Sequence, residues 1–144
     1  MIKRVIFIVI GFVLFSLVTT LSVYASSAED ALGLWWTASK DAKIEIYKKE
    51  DKFYGKIVWT NDPDELDINN PDPEKRSNKL WGLDIISNFS WDGDEWVDGE
   101  IYDPSSGETY SCIMWMKGKN VLYVKGYIGI SILGRKERWT RVKG

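Results

Sequence analysis

The architecture follows from residues 95–127, which read EWVDGEIYDPSSGETYSCIMWMKGKNVLYVKGY. Residues 95–102, 109–116 and 121–127 are rich in aromatic and aliphatic side chains, as β-strands are. Between the first two, Pro104 supplies a fixed φ and Gly107 a left-handed residue, which together make a turn. Residues 117–120, with Gly118, make the next turn. This stretch therefore predicts three strands joined by two hairpins.

Similar strands and turns extend outward on both sides of this stretch. Residues 42–47 and 52–59 alternate in polarity around Glu50 and Asp51, which predicts another hairpin, and Asp92-Gly93 marks the turn before residue 95. About eight strands result, which is typical of an antiparallel sandwich or barrel; they are residues 33–37, 42–47, 52–59, 80–87, 95–102, 109–116, 121–127 and 137–142. Because consecutive hairpins form a meander, we predict an all-β fold, a single antiparallel up-and-down β-barrel with negligible helix.

The two ends of this region carry the halves of a lipocalin-like motif. Gly33-Leu34-Trp35 opens the region, and Trp139-Thr140-Arg141 closes it. In lipocalin-like barrels the Trp of such a motif packs across the barrel floor, and an Arg from the last strand covers its ring in a cation–π contact. The resemblance implies a lipocalin- or calycin-like barrel. The structural signature consists of Gly33, Trp35, Trp139 and Arg141 from these two ends, together with Asp103 and Gly107 of the turn after residue 102.

Residues 1–25 have the layout of a secretory signal peptide. Lys3 and Arg4 precede an uncharged, mostly apolar run over residues 5–18, and Ala25 suits the position that a signal peptidase reads. An uncleaved anchor is the alternative, since residues 5–24 carry no charge over the length of a membrane-spanning helix. Both interpretations place one domain, residues 26–144, outside the cytoplasm, either periplasmic or secreted.

The composition excludes several kinds of chemistry. The chain has no His, which excludes imidazole metal ligands and Ser-His or Cys-His catalysis. Residues 26–144 hold four more acidic than basic side chains, so no nucleic-acid partner is expected. Cys112 is the only cysteine and lies in an apolar run, which predicts a buried structural thiol and no intramolecular disulfide. We expect no cofactor, and we predict a monomer.

Residues 61–79 interrupt the rhythm of strands and turns. They hold three Pro, many Asp and Asn, and only two apolar side chains, Leu66 and Ile68. Loops of this length in a small domain are usually functional or disordered. Their oxygen atoms would suit calcium, but the EF-hand spacing and its Gly are absent, so Asx turns are favoured and no metal is predicted.

Residues 127–133 form a second unusual segment. This apolar stretch lies between Gly126 and Gly134 and is followed by Arg135. The glycines do not suit a plain central strand. The segment is interpreted either as a lid over the barrel mouth or as a buried strand with a bulge.

Asp98 and Glu100 are the one candidate for paired catalytic carboxylates. Strand alternation would place them on one face with Trp96 and Tyr102, an arrangement that glycosidases use. Nothing in the sequence shields either carboxylate, so a solvated outer face is favoured. A carboxylate-based hydrolase therefore ranks third among the functions, and no catalytic residue is assigned.

Three blocks of sequence carry a wider resemblance: residues 69–76 (NNPDPEKR), residues 101–110 (IYDPSSGETY) and residues 126–141. Together with Gly33-Leu34-Trp35 and residues 55–59, they are similar to the bacterial family catalogued as domain of unknown function 2147. The resemblance implies an exported bacterial β-domain and no known activity. Family cysteines near Gly55 and residues 80–82 are absent here, so no thiol role carries over. The motif residues present are Asn70, Asp72, Arg76, Asp103 and Arg135.

The leading functional expectation is a protein of the cell envelope that binds a small apolar or amphipathic ligand in its barrel. We expect residues 61–79 and 127–133 to meet at one end, where Arg76 and Arg135 would form a positive rim for an acidic headgroup. Asn70 and Asp72 would then hold the loop. The alternative is a structural or interaction protein with a filled barrel, in which both Arg residues pair with nearby acids.

Overall fold

Eight antiparallel strands pair with their sequence neighbours and close into a barrel in the computed structural model, which describes residues 26–130 and 134–144. The strands are β1 (Gly33–Trp36), β2 (Ala42–Lys49), β3 (Lys52–Thr60), β4 (Asp84–Trp91), β5 (Trp96–Asp103), β6 (Glu108–Lys117), β7 (Val121–Tyr127) and β8 (Arg135–Arg141). Pairing of β1 with β8 closes the sheet. Helix in the described residues consists of two short 3₁₀ segments, Ala28–Ala31 and Pro73–Lys75. The predicted up-and-down barrel is confirmed.

Seven of the predicted strands match the observed ones within two residues, whereas β4 is displaced by four residues at both ends; the starts of β4 and β8 have identifiable causes. β4 begins at Asp84 rather than at residue 80, because Leu80 accepts a turn hydrogen bond from the Leu83 N–H and the Gly82 N–H bonds to Ile57. β8 begins at Arg135 rather than at residue 137, because its ladder with β7 extends to Gly126. Both differences arise where a strand meets one of the two irregular segments.

A bulge in β5 changes the predicted sharing of faces. The register with β6 shifts between Trp96 and Gly99, and Asp98 adopts a left-handed φ of 59°. Trp96 and Gly99 are therefore both buried, whereas Asp98 and Glu100 are exposed. The prediction that Trp96 shares a face with the two carboxylates is wrong, because alternation is reset at the bulge. The carboxylate pair lies on the outer wall.

The floor of the barrel is built by the two ends of the chain. Trp35 is fully buried, its indole N–H donates to the Ala31 carbonyl at 2.8 Å, and the guanidinium carbon of Arg141 lies 4.2 Å from its ring centroid. Arg141 also donates to the carbonyls of Leu32, Asp30 and Lys119. A Cβ on Gly33 would lie 3.2 Å from an Arg141 nitrogen, so the glycine leaves room for the guanidinium. The cation–π contact predicted at the floor is present.

Large aromatic side chains fill the half of the barrel above this floor. Phe53 and Trp96 meet edge to face with ring centroids 6.2 Å apart, and the Trp96 N–H reaches the Ala28 carbonyl at 3.3 Å. The fully or almost fully buried side chains that complete this half are Ile46, Phe89, Met114 and Leu122. The first 3₁₀ segment thus covers this end of the barrel, which we call the closed end. Its carbonyls accept the indole N–H groups of Trp35 and Trp96.

Two expectations fall on parts of the chain outside the described residues. The signal-peptide interpretation concerns residues 1–25, and the lid interpretation depends in part on residues 131–133. Across residues 26–130 and 134–144, no helix has the length and apolarity needed to cross a membrane.

Candidate functional site

A cavity of about 1010 Å³ opens at the end of the barrel opposite the floor, which we call the open end. The connections that border it are the β1–β2 turn, residues 61–79, the β5–β6 turn and the β7–β8 segment. The two irregular segments singled out from the sequence therefore border one cavity.

The inner wall of the cavity is apolar and is made mostly of medium-sized aliphatic side chains, together with the indole of Trp139. Strand alternation turns these side chains inward from β2, β3, β5, β7 and β8 and from the residues around β4; they are Ile44, Ile57, Leu80, Ile85, Ile101, Val124 and Trp139. Trp139, assigned above to the structural signature, is buried in this wall, and its indole N–H donates to the Glu137 carboxylate at 3.2 Å. The wall can hold apolar matter, because a cavity of about 1010 Å³ remains between these side chains.

Residues 61–79 fold back on themselves as a narrow ribbon. Leu66 and Lys79 form a β-bridge, the Asp67 N–H bonds to Asn78, and the Leu80 N–H bonds to Glu65. Such pairing satisfies backbone groups that a long loop would otherwise leave to solvent. The ribbon lies fixed at the open end.

Three of the four predicted ligand-binding residues hold the tip of this ribbon. The Asn70 side-chain oxygen accepts from the Asp72 N–H at 2.9 Å, Asp72 caps the Pro73–Lys75 turn through the Glu74 N–H at 3.0 Å, and Arg76 Nε donates to the Asn70 carbonyl at 2.7 Å. None of the three borders the cavity. Asn70 and Asp72 thus fix the loop, as expected, whereas Arg76 lies apart from the rim.

A buried carboxylate anchors the ribbon to the barrel wall. Asp67 is only 1% exposed, and it accepts from the Tyr102 hydroxyl at 2.6 Å and from the Asn70 side-chain nitrogen at 2.7 Å. Burial, together with the neighbouring Asp67 carboxylate, raises the pKa of Tyr102 to about 12. Tyr102 borders the cavity, so this contact fixes both the loop and one side of the mouth. The composition of residues 61–79 predicts Asx turns there and does not distinguish the buried Asp67 from its exposed neighbours.

A second anchor joins the ribbon to the β5–β6 turn. The Asn69 side-chain amide donates to the carbonyls of Pro104 and Ser105 at 3.2 and 3.1 Å. Gly107 has a φ of 73°, and a Cβ there would lie 1.9 Å from the Asn69 carbonyl oxygen. Asp103 holds the turn by accepting from the Ser105 N–H at 2.9 Å. Asp103 and Gly107 therefore shape the turn on which the loop rests.

The charges that border the cavity are mostly negative. Arg135 is the one basic residue among the described lining residues, and its side chain is 87% exposed and lies 3.7 Å from Glu137. The acidic lining residues are Asp41, Asp62, Glu65, Asp103 and Glu137. The expected positive rim is wrong, because Arg76 is bonded within the loop and carboxylates outnumber Arg135.

Two apolar segments reach solvent at the same mouth. Ile68 of the ribbon and Ile128 of the β7–β8 segment are 66% and 76% exposed, and both border the cavity with Leu66. Exposed apolar side chains gathered at a cavity entrance are typical of a ligand or partner contact.

Two further ionisable side chains, Cys112 and Asp41, keep at neutral pH the protonation state that is usual for their type. Burial raises the pKa of the Cys112 thiol to about 12, so it stays protonated and unreactive at neutral pH. Hydrogen bonds from Ser39 and Thr37 outweigh partial burial and lower the pKa of Asp41, which stays ionised. Over the part of the chain that the structure describes, no three potential ligand side chains gather as a metal site would need.

Comparisons with known proteins agree with this architecture. A family model described as "Uncharacterized protein conserved in bacteria (DUF2147)" matches residues 33–141. Among solved structures, protein HP1028 from the human pathogen Helicobacter pylori, described as belonging to the lipocalin family, superposes with a TM-score of 0.72. It is 21% identical, over 78% of this chain and 83% of that one, which shows a shared fold. No curated protein matches the sequence.

Proposed function

This chain belongs to the bacterial family of uncharacterised proteins DUF2147, and we propose that its barrel binds a small apolar or amphipathic molecule outside the cytoplasm. The observation that carries the proposal is the cavity of about 1010 Å³, with an apolar wall and an open mouth. Ligand pockets of proteins have volumes of about 300–1,000 Å³, apolar walls and a few polar groups. This cavity lies at the upper end of that range.

The division of the barrel supports binding over the filled-barrel alternative. Eight strands enclose a space that side chains can either fill or leave open for one small ligand, as in lipocalins. Here aromatic rings fill the closed half, while mostly aliphatic side chains, with Trp139 beside them, line the other half and leave the cavity. A lipocalin-like fold with an open cavity is what a carrier or sensor of a small molecule requires.

Export is part of the proposal and is supported by residues 1–25. The basic start, the uncharged run and Ala25 are the features of a cleavable signal. N-terminal sequencing of the protein from its native host is expected to begin at Ser26. An intact Met1 on membrane-embedded protein would show an anchor instead, and unprocessed protein in the cytoplasm would contradict export.

Binding can be tested with a neutral fluorescent apolar probe, N-phenyl-1-naphthylamine, on residues 26–144. We expect saturable binding, and about tenfold weaker binding for Val124→Trp, because the indole would occupy the cavity. Val121→Trp is the matched control, since Val121 lies on the same strand and outside the cavity lining. Ile57→Trp, on another strand of the wall, repeats the test if Val124→Trp unfolds the barrel.

Native mass spectrometry of protein purified from its own host gives the complementary test. A co-purifying small mass that Val124→Trp or Ile57→Trp removes would support the proposal. A bare chain that also fails to bind the probe would favour a structural or interaction role.

A further inference from the structure

The acidic residues at the mouth are only partly neutralised by nearby bases. Arg135 lies 3.7 Å from Glu137, and Lys79 of the ribbon pairs with Asp64 at 2.8 Å and also feels the charge of Asp62. The lining residues therefore present an excess of negative charge to whatever enters.

The ribbon as a whole also carries a net negative charge. Residues 61–79 contain six acidic and three basic side chains, and one of those bases, Arg76, is bonded to the Asn70 carbonyl. Glu65 and Asp62 face the cavity from this ribbon. Asp41 and Asp103 add charge from two other connections, so carboxylates border the mouth from several directions.

Aromatic rings at the mouth also favour a positively charged ligand group. Tyr102, Tyr110 and Tyr127 all border the cavity. The face of an aromatic ring attracts cations, and alkylated ammonium groups are bound in this way. Carboxylates and tyrosine rings together thus favour a positively charged group at the mouth, above the apolar wall.

We propose that the cavity selects amphipathic molecules with a cationic head, an alkylammonium group at the carboxylate- and tyrosine-lined mouth with its hydrocarbon chain against the Ile57–Val124–Trp139 wall. This inference rests on the proposed function and names its ligand class. It reverses the acidic headgroup that the arginines of the sequence suggested. An anionic head would meet five carboxylates and one arginine.

The test compares three ligands that share one ten-carbon chain: decyltrimethylammonium, decanoate and decanol. Each is used below its micelle concentration to displace N-phenyl-1-naphthylamine from residues 26–144 at low salt. We expect the cation to bind about tenfold more tightly than the anion. Raising the salt concentration should reduce that ratio, because salt screens exposed charges.

Variants of the mouth should change the cation-to-anion affinity ratio in opposite directions. Glu65→Gln with Asp62→Asn should lower it about threefold, since the new Asn still accepts from the Asp64 N–H. Arg135→Gln should raise it, because Glu137 then loses its counter-charge. Glu74→Gln is the control: it is exposed on the same ribbon and does not border the cavity, so the ratio should not move.

The outcomes separate the two proposals. Equal affinities for the cation and the anion, or tighter binding of decanoate, would overturn the cationic preference while leaving binding intact. If residues 26–144 do not bind the probe at all, the proposed function falls together with this inference. If the probe binds but decanol, decanoate and decyltrimethylammonium all fail to displace it, the inference about the ligand class falls alone. A cation-to-anion affinity ratio that changes neither with salt nor with the Glu65 and Asp62 substitutions would show that the charges at the mouth do not select the ligand.

Discussion

The two ends of the barrel are built from the same eight strands but hold different contents. At the closed end, Trp35, Trp96, Phe53 and Phe89 pack together, and a 3₁₀ segment accepts both indole donors. At the open end, the same strands present mostly Ile and Val beside the single indole of Trp139, and a cavity remains. The backbone pairing continues through both halves, so the difference lies in side-chain volume. One half is a packed hydrophobic core, and the other half lines a cavity.

The largest effect is expected from breaking the closed end at Trp35. Trp35→Ala removes a buried indole and its bond to Ala31, and should lower the free energy of unfolding by about 3–5 kcal/mol. Chemical denaturation of residues 26–144 measures this. Arg141→Ala should also destabilise, and the double variant should lose less than the two single losses added together. Additive losses would show that the ring and the guanidinium do not support each other.

The second-largest effect is expected from removing the buried carboxylate that anchors the ribbon, in comparison with an exposed carboxylate of the same ribbon. Asp67→Ala leaves Tyr102 and Asn70 without their acceptor and should cost about 1.5–3 kcal/mol in the free energy of unfolding. Asp64→Ala is the control on the same ribbon, because its partner Lys79 is exposed and little change is expected. Equal losses from both variants would mean that burial of Asp67 has no special weight.

A pair of substitutions two residues apart on β7 compares the two halves directly. Leu122→Phe adds volume to the packed half and should cost about 1–3 kcal/mol in the free energy of unfolding. Val124→Phe adds volume beside the cavity, where space exists, so its cost should stay below about 1 kcal/mol. Thermal and chemical unfolding of both variants decide it. A larger loss for Val124→Phe would contradict the division of the barrel.

The smallest expected effect is a dependence of stability on alkaline pH. Because folded Tyr102 keeps its proton to about pH 12, its contribution is fully present below pH 10 and is lost as the pH rises from 10 to 12. Tyr47 on the outer wall, whose pKa is also raised to about 12, acts in the same direction. Tyr102→Phe should therefore lose less stability over this range than the unaltered chain, measured by denaturation at stepped pH.

The fold was predictable because its determinants are local. Asp103, Pro104 and Gly107 specify a turn within a few residues, and alternation specifies which side chains of a strand share a face. The bulge at Asp98 was missed because a non-glycine residue with positive φ leaves no clear mark in a sequence. Partners across the floor were predictable only because Trp35 and Arg141 occur in a known pairing.

The site was only partly predictable, because it depends on distances that no short segment encodes. The irregularity of residues 61–79 and 127–133 predicts which segments border the cavity, but Arg76 and Arg135 predict the wrong charge for its mouth. Arg76 reaches a carbonyl six residues before it, a direction that its sequence position does not reveal. One signal was present: in an up-and-down barrel alternate connections share an end, so Asp41, Asp62, Glu65 and Asp103 could have been grouped in advance.

The pairing of β1 with β8, which we call the seam, indicates the order in which the strands of this chain pair during folding. Every other strand pair joins sequence neighbours, whereas the Arg141–Leu32 hydrogen bond spans 109 residues. Closing so long a loop is least costly once the intervening hairpins have shortened it. Contacts at the seam should then form after the rate-limiting step, so Arg141→Ala should speed unfolding and leave the folding rate nearly unchanged in stopped-flow kinetics. The Arg141 guanidinium, which covers the floor, would thus form its contacts late in folding and would control the lifetime of the folded barrel.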